Sequence, residues 1–439
     1  MKEMKLFNLA WPLFIETALF MLLGVIDVFI LSSYDDLAAS AVSTANQAVS
    51  IVTIVFTVIS SATAVMISQY LGANKRTDAS QVAALSITLH VAFGLLISML
   101  FVFFCRPILS FIGASGKILD FGCQYLTIVG SMMFVQAFLG SVSVIIRNHG
   151  LTKISMYVTV GMNVMNTLLD MVLVPHLGVT GVAIATSVCR ILGGCALAFI
   201  LFRKVESISI FKLLVPFPKD KLLAILKIGV PSALETFLYN LSQLTITSIV
   251  LRFLSENELI AKTYVQNITM FFYLFAVSIG QASQIMIGHL VGAKEFDKAY
   301  RQGLRSYRTA LIITAVACAV GMCFREPLLR IFTDNTEVIM LGMNILLINC
   351  LLEWGRTTNL VLIACLRGSG DVYFPTACAI FSNWSISVLC SYLLAVVAGL
   401  GIYGLWIALA ADEFVRGILM LIRWKSGKWR TKRIVKNEG

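Results

Sequence analysis

Long apolar runs follow one another along this chain from about residue 7 to residue 423, separated by short breaks that carry charge or turn chemistry. A helix needs about 20 apolar residues to cross a bilayer core of ~30 Å. By that measure the pattern predicts twelve spans. The first six lie at about 7–31, 42–70, 80–104, 120–146, 154–175 and 179–202. The second six lie at about 224–251, 260–290, 304–324, 337–366, 373–398 and 402–423. Breaks such as Gly72-Ala73-Asn74-Lys75-Arg76, Pro175-His176-Leu177-Gly178 and Gly368-Ser369-Gly370-Asp371 read as turns. In lipid every backbone polar group must be satisfied internally, so the runs imply an all-α, polytopic membrane protein.

Composition agrees. The 439 residues are 58% hydrophobic and 13% charged, and the mean hydropathy is +0.88. Soluble domains run at roughly 45–50% apolar and about 25% charged. A soluble enzyme, a disulfide scaffold and a disordered chain are therefore excluded. The ten cysteines lie in or beside apolar runs and form no C-x-x-C pair, so they read as buried hydrophobes rather than a disulfide or metal framework. Met1-Lys2-Glu3-Met4-Lys5 leads into an apolar run too long for a signal-peptide core, which is expected to remain as the first span.

The net charge of +11 would suggest nucleic acid in a soluble protein. Here it reads as cytoplasmic loops enriched in Lys and Arg, with no nucleic-acid partner. Alternate connections are basic: Lys75 and Arg76; Arg147 and Lys153; Arg203 to Lys227; Lys294 to Arg308; and the tail Lys425 to Lys436. The first opposite connection holds Asp35 and Asp36 and no base. Both termini are thus expected in the cytoplasm, with the chain in the inner cell membrane. The segment 203–223, with Phe211, Leu213, Leu214 and Phe217 among its lysines, reads as a linker on the inner membrane surface.

The chain also repeats itself once, at an offset near 220. Met66-Ile67-Ser68-Gln69-Tyr70-Leu71-Gly72-Ala73 reads against Met286-Ile287-Gly288-His289-Leu290-Val291-Gly292-Ala293. Pro12 and Glu16 read against Pro231 and Glu235. Arg147, Gly150 and Asn163 read against Arg367, Gly370 and Asn383, and Gly178-x-x-Gly181 against Gly401-x-x-Gly404. Six spans per repeat is even, so both halves insert the same way up, about an axis along the membrane normal. The expected organisation is an N-lobe over 1–202, the linker 203–223, a C-lobe over 224–423 and a basic tail over 424–439. Transporters built from repeats hold substrate and ions between or within such halves.

Several local patterns now combine: Pro12 fifteen positions before Asp27, Leu71-Gly72-Ala73 with Ala79, and Asn166-x-x-x-Asp170. Further on come Gly178-x-x-Gly181-x-Ala183-x-Ala185-Thr186, Leu366-Arg367-Gly368-x-Gly370-Asp371 and Gly401-x-x-Gly404-x-Trp406. In order and spacing they resemble the multidrug and toxin extrusion family, over essentially the whole chain. The resemblance implies a twelve-helix, two-lobed exporter of organic, often cationic compounds, driven by inward Na⁺ or H⁺. A lipid-linked saccharide flippase of the same superfamily architecture is the alternative.

Candidate chemistry lies in the polar groups that lipid makes expensive; an acid at the centre of a span costs about 2.5–3.5 kcal/mol on insertion scales. Asp27, Asp170 and Thr186 fall about four, five and seven residues inside the outer ends of spans one, five and six. At 1.5 Å per residue they differ in depth by only about one turn. Asn166 shares a helix face with Asp170, and Asn163 stands one turn before it. Such an oxygen-rich set suits a hard cation, so Na⁺ at Asp27, Asn166, Asp170 and Thr186 is one expectation and a proton the other. The bland account is a buried network that only locks helices. Residue by residue, Asp27, Asn166, Asp170 and Thr186 match positions of the family's N-lobe cation site.

Glu16 and Glu235 each stand one turn after a proline. They are expected to line a substrate cavity or gate, with proline-kink capping as the bland account, and Tyr239 is placed in the same cavity. Glu353 and Arg356, three apart in the tenth span, read as an ion pair or a switch; Asp412, Glu413 and Arg416 invite the same two readings. No acid matches Asp27 in the second half, where Ile246 stands. Gly113-Ala114-Ser115-Gly116-Lys117 lacks the spacing of a phosphate loop, and neither H-E-x-x-H nor G-x-S-x-G occurs. The chain therefore reads as no enzyme and without a cofactor. The expected partners are small organic molecules and the bilayer, and the expected state is a monomer.

Overall fold

A computed structural model describes residues 5–435. Met1-Lys2-Glu3-Met4 and the end of the basic tail, Lys436 included, lie outside the described residues. The chain is all-helical among these residues. Its helices are α1 (Leu6–Ser32), α2 (Asp36–Gly72), α3 (Arg76–Phe111), α4 (Gly116–Ser131), α5 (Met133–Asn148), α6 (Thr152–Leu177) and α7 (Val179–Ile200). They continue with α8 (Lys219–Phe253), α9 (Glu256–Gly292), α10 (Phe296–Cys323), α11 (Arg325–Arg330), α12 (Thr336–Ser369), α13 (Tyr373–Ser382), α14 (Leu389–Tyr392) and α15 (Gly401–Lys425).

Among the described residues nine helical stretches are each long and apolar enough to cross a bilayer, and the bent pair α4–α5 makes a tenth. The two remaining predicted spans are the 27-residue α1 and the 25-residue α15, which carries Asp412, Glu413 and Arg416. Every predicted span is therefore a helix, with ends shifted by up to eight residues. Large apolar side chains such as Phe29, Phe103 and Phe381 are exposed, as expected where lipid is the solvent.

Three interruptions have local causes. Phe104 leaves helical geometry (φ −121°, ψ 21°) three residues before Pro107, whose ring crowds the preceding turn. The 50° bend between α4 and α5 follows Gly130-Ser131, a pair that weakens a helix. The eleventh span widens to π geometry over Asn383–Val388 and again over Leu393–Val397.

The chain divides into two compact units. One takes Ile15–Leu71 and Lys75–Val230; the other takes the chain up to Phe14, Gly72–Asn74, and everything from Pro231 onward. Thus α1 and α8 each serve both units, and each changes unit at or near its internal proline, Pro12 or Pro231. The core of the first unit gathers Val42, Phe101, Leu126 and Val182. The second has one core around Leu13, Ile287, Leu362 and Trp424 and another around Ile246, Val265, Leu346 and Trp406. The linker belongs to the first unit and docks on the start of α3. Ser80 donates to Glu206 (2.7 Å), Gln81 donates to the Leu213 carbonyl (2.7 Å), and Lys221 pairs with Asp78. Burial pulls His149 below the usual imidazole pKa and lifts the carboxyl of Glu206, 3.8 Å away.

The repeat is written in the backbone as well as in the letters. Asn74 and Lys294 both have φ 62°, and Gly150 and Gly370 have φ 81° and 97°. Gly178 and Gly401 both have φ 54°, a left-handed conformation that disfavours side chains. One turn later Gly181 and Gly404 allow two backbones to touch. A Cβ on Gly181 would meet the Leu173 carbonyl oxygen at 2.7 Å, and one on Gly404 the Leu394 carbonyl carbon at 2.6 Å.

Gly181→Val and Gly404→Val should each lower the thermal unfolding midpoint in detergent, at a cost of about 1–3 kcal/mol. Gly140→Ala and Gly161→Ala, with nothing within 4 Å of the added carbon, should leave it unchanged or slightly raised. Equal midpoints for all four variants would contradict this packing.

Candidate ion and substrate sites

In the first unit α1 and α6 bring Asp27 and Asp170 together, and Asn166 on α6 and Thr186 on α7 are buried as they are. The carboxyl groups of Asp27 and Asp170 meet within hydrogen-bonding reach. Two ionised carboxylates can only repel; the contact becomes a bond when one proton is shared. Eight buried polar atoms here have no partner among the described residues. They are Asp27 Oδ1, Asn163 Oδ1, both amide atoms of Asn166, both Asp170 oxygens, Thr186 Oγ1 and Arg190 Nη1. Buried polar atoms normally find partners, so this set has the donor chemistry to take up a cation or proton. Asn163 spends its amide nitrogen locally, on the Thr159 carbonyl (2.7 Å), and keeps its oxygen free. Oxygen ligands from two acids, amides and a hydroxyl fit a hard cation. No group of three or more His, Cys, Asp or Glu that could hold a metal occurs among the described residues.

One member was missed by the sequence reading. Arg190, one turn beyond Thr186 on α7, places its guanidinium near Asp27. The signal was available: a base within an apolar run, at i+4 from a residue already singled out. Its fixed positive charge leaves the set at −1 with both acids ionised, and neutral with one proton added.

Glu16 and Glu235 adopt the same arrangement in their respective units. Glu16 Oε1 accepts from Ser155 (3.1 Å) and Ser143 (3.3 Å) and lies 3.5 Å from Arg147. Glu235 Oε2 accepts from Thr376 (2.9 Å) and Arg367 (2.7 Å). Arg147 and Arg367 are repeat-related, and so are Ser155 and Thr376 at an offset of 221. Each glutamate is thus tied to an arginine and a hydroxyl of its own unit.

Glu353, Arg356, Asp412, Glu413 and Arg416 form a single ladder between α12 and α15. Arg356 pairs with Glu353 (2.6 Å) and reaches Glu413 (3.6 Å); Arg416 pairs with Asp412 (2.6 Å) and Glu413 (3.1 Å). Asn359 donates to Glu413 (2.9 Å), and Ser382 donates to Asp412. A small cavity of about 60 Å³ beside it is lined by Tyr239, Gln243, Gln266 and Asn349. Ile246, matching Asp27, is packed in an apolar core, so the second unit lacks a copy of the Asp27 set. His90 is satisfied by Ser60 (3.0 Å) and the Ser86 carbonyl (2.8 Å).

Comparison with known proteins now bears on this arrangement. The MatE family model matches residues 12–172 and 231–393, one match in each repeat. The chain is 37% identical over 437 residues to an uncharacterized transporter, YisQ, of Bacillus subtilis, covering 98% of this chain and 96% of that one. It is 27% identical to a probable multidrug resistance protein, NorM, of Thermotoga maritima, with 99% and 94% covered. Among solved structures it is similar to a MATE crystal structure in the bent conformation, at TM-score 0.89, 20% identity, and 96% and 95% coverage. An outward-facing MATE transporter of the MOP superfamily matches at TM-score 0.87 and 20% identity, with 96% of each chain covered. These similarities fix the fold as the twelve-helix, two-lobed one that the motifs implied.

The glutamate–arginine pairs make a test. Arg367→Met strands a largely buried Glu235 carboxylate, which should cost roughly 2–4 kcal/mol; the double variant with Glu235→Gln should recover much of that. Unfolding midpoints in detergent measure both. A double variant no more stable than Arg367→Met would contradict the pairing.

Proposed function

Since the chain belongs to the MatE family and is a multi-span transporter rather than an enzyme by kinship, we propose that it is a secondary active exporter of organic cations driven by inward proton flow. The observation that carries the reading is the contact between the Asp27 and Asp170 carboxyls, among buried atoms with no other partner.

In this reading both termini face the cytoplasm of the cell membrane, an orientation that the placement of Lys and Arg supports. From the outside, one proton enters between Asp27 and Asp170 and cancels the excess charge of the set. Asn166, Thr186 and Asn163 are then free to rearrange around a neutral centre, which biases the first unit toward releasing substrate. Deprotonation toward the cytoplasm restores the charge. Each charge moving down 100 mV supplies about 2.3 kcal/mol. Arg190 favours H⁺ over Na⁺. Its guanidinium already supplies the cation next to Asp27, and a sodium ion needs a full oxygen shell close to that charge. The ladder of Glu353, Arg356, Asp412, Glu413 and Arg416 also carries −1, so an organic cation meets a favourable field in the second unit. Tyr239 would add an aromatic face there. Each chain carries a whole set, so a monomer suffices.

Inside-out vesicles loaded by an imposed gradient test this. A pH gradient should drive uptake of a fluorescent organic cation and a Na⁺ gradient should not. Asp27→Asn should abolish uptake while the protein still inserts, and normal uptake by that variant would remove Asp27 from the mechanism. Arg190→Gln should admit a Na⁺-driven component. Sodium-driven uptake by the unaltered protein would overturn the proton assignment.

A further inference from the structure

The second unit holds a cavity of about 900 Å³ walled by α1, α9 and α10, which the transport reading does not use. Its α10 wall is a single stripe: Lys298, Gln302, Arg305, Thr309 and Ile313, spaced four, three, four and four residues apart. The stripe runs from charged through polar to apolar over ~22 Å, at 1.5 Å per residue. The α1 wall is a ladder of rings. Phe7 stacks on Trp11 (6.0 Å between centroids), Trp11 on Phe14 (5.5 Å), and Phe14 on Phe275 of α9 (4.3 Å). Lys5 lines the same cavity as Lys298 and Arg305, and α1 and α10, as the first and ninth spans, both enter the membrane from the basic side.

Three bases face one acid at the mouth, because Glu295 lines it too and takes one hydrogen bond from Lys298 (2.9 Å). The mouth is thus net +2, and Arg305 has no ion pair among the described residues. A slot with a cationic mouth and an apolar, ring-lined depth has the shape of an anionic amphiphile. Its length exceeds the ~15 Å of one leaflet's hydrocarbon by about a headgroup. We propose that this cavity binds an acidic phospholipid from the leaflet facing the α1 N-terminus. The phosphate sits among Lys5, Lys298 and Arg305, and one acyl chain lies along the Phe7–Trp11–Phe14 ladder. The Lys and Arg side chains suit a phosphate, and their stems can cover the upper chain.

Trp11 gives a direct readout, being 47% exposed within the ladder. The full chain goes into nanodiscs containing phosphatidylglycerol or phosphatidylcholine with brominated acyl chains, which quench nearby tryptophan. Subtracting the Trp11→Phe variant isolates Trp11 from the other tryptophans. Quenching should saturate at an about five-fold lower mole fraction of the acidic lipid, in line with the attraction of a basic residue for an anionic surface. The double variant Lys298→Gln, Arg305→Gln should lose that preference and keep the quenching by phosphatidylcholine. Equal quenching by both lipids in the unaltered protein would overturn the proposal, as would none at all. Neither outcome touches the Asp27 reading, which the vesicle assay decides separately.

Discussion

Everything in this protein turns on the cost of holding charge in hydrocarbon. A chain so apolar needs no charged side chain within its spans for stability, yet it keeps several. Glu16 and Glu235 are neutralised by Arg147 and Arg367. Glu353, Asp412 and Glu413 share Arg356 and Arg416 in a ladder. Among the described residues, only around Asp27 and Asp170 do two acids confront each other with a single base nearby and so many neighbouring polar atoms without a partner.

Duplication explains how the rest was assembled, and where it stopped. The two sequence repeats share turn geometry at Asn74 and Lys294, helix-touching glycines at Gly181 and Gly404, and a glutamate–arginine–hydroxyl trio. These are structural features, and structure is what duplication preserved. The Asp27 set is not duplicated: Ile246 fills the corresponding place and packs in an apolar core. The second unit has instead its own charge ladder. The two units thus differ in the buried polar groups they carry.

The spans were legible because lipid enforces them: a run must be apolar and long, whatever its local propensities. The turns were legible because Gly and Asn mark them. The bend at Met132 was not, since no proline announces it and Gly130-Ser131 is common in straight helices. The approach of Asp27 to Asp170 was legible from their matched depth. Arg190 was less legible because a lone base in an apolar run also fits a snorkelling or loop-end residue, and only the fold sets it beside Asp27. The aligned repeat already contained Glu16 with Arg147 and Glu235 with Arg367, but matched letters do not say which side chains touch; only the packing of α5 and α12 against their neighbours does. The ladder of Glu353 and Arg356 with Asp412, Glu413 and Arg416 was read as two separate clusters for the same reason.

If a proton and an organic cation exclude one another at the paired aspartates, binding the cation must release the proton, and that proton can be counted. The purified protein in weakly buffered detergent, with a pH-indicating dye, receives a saturating dose of an organic cation. The account predicts release of about one proton per chain, lost in Asp27→Asn and in Asp170→Asn but retained in Glu353→Gln. Release of the same size from the aspartate variants, or none from the unaltered protein, would contradict it.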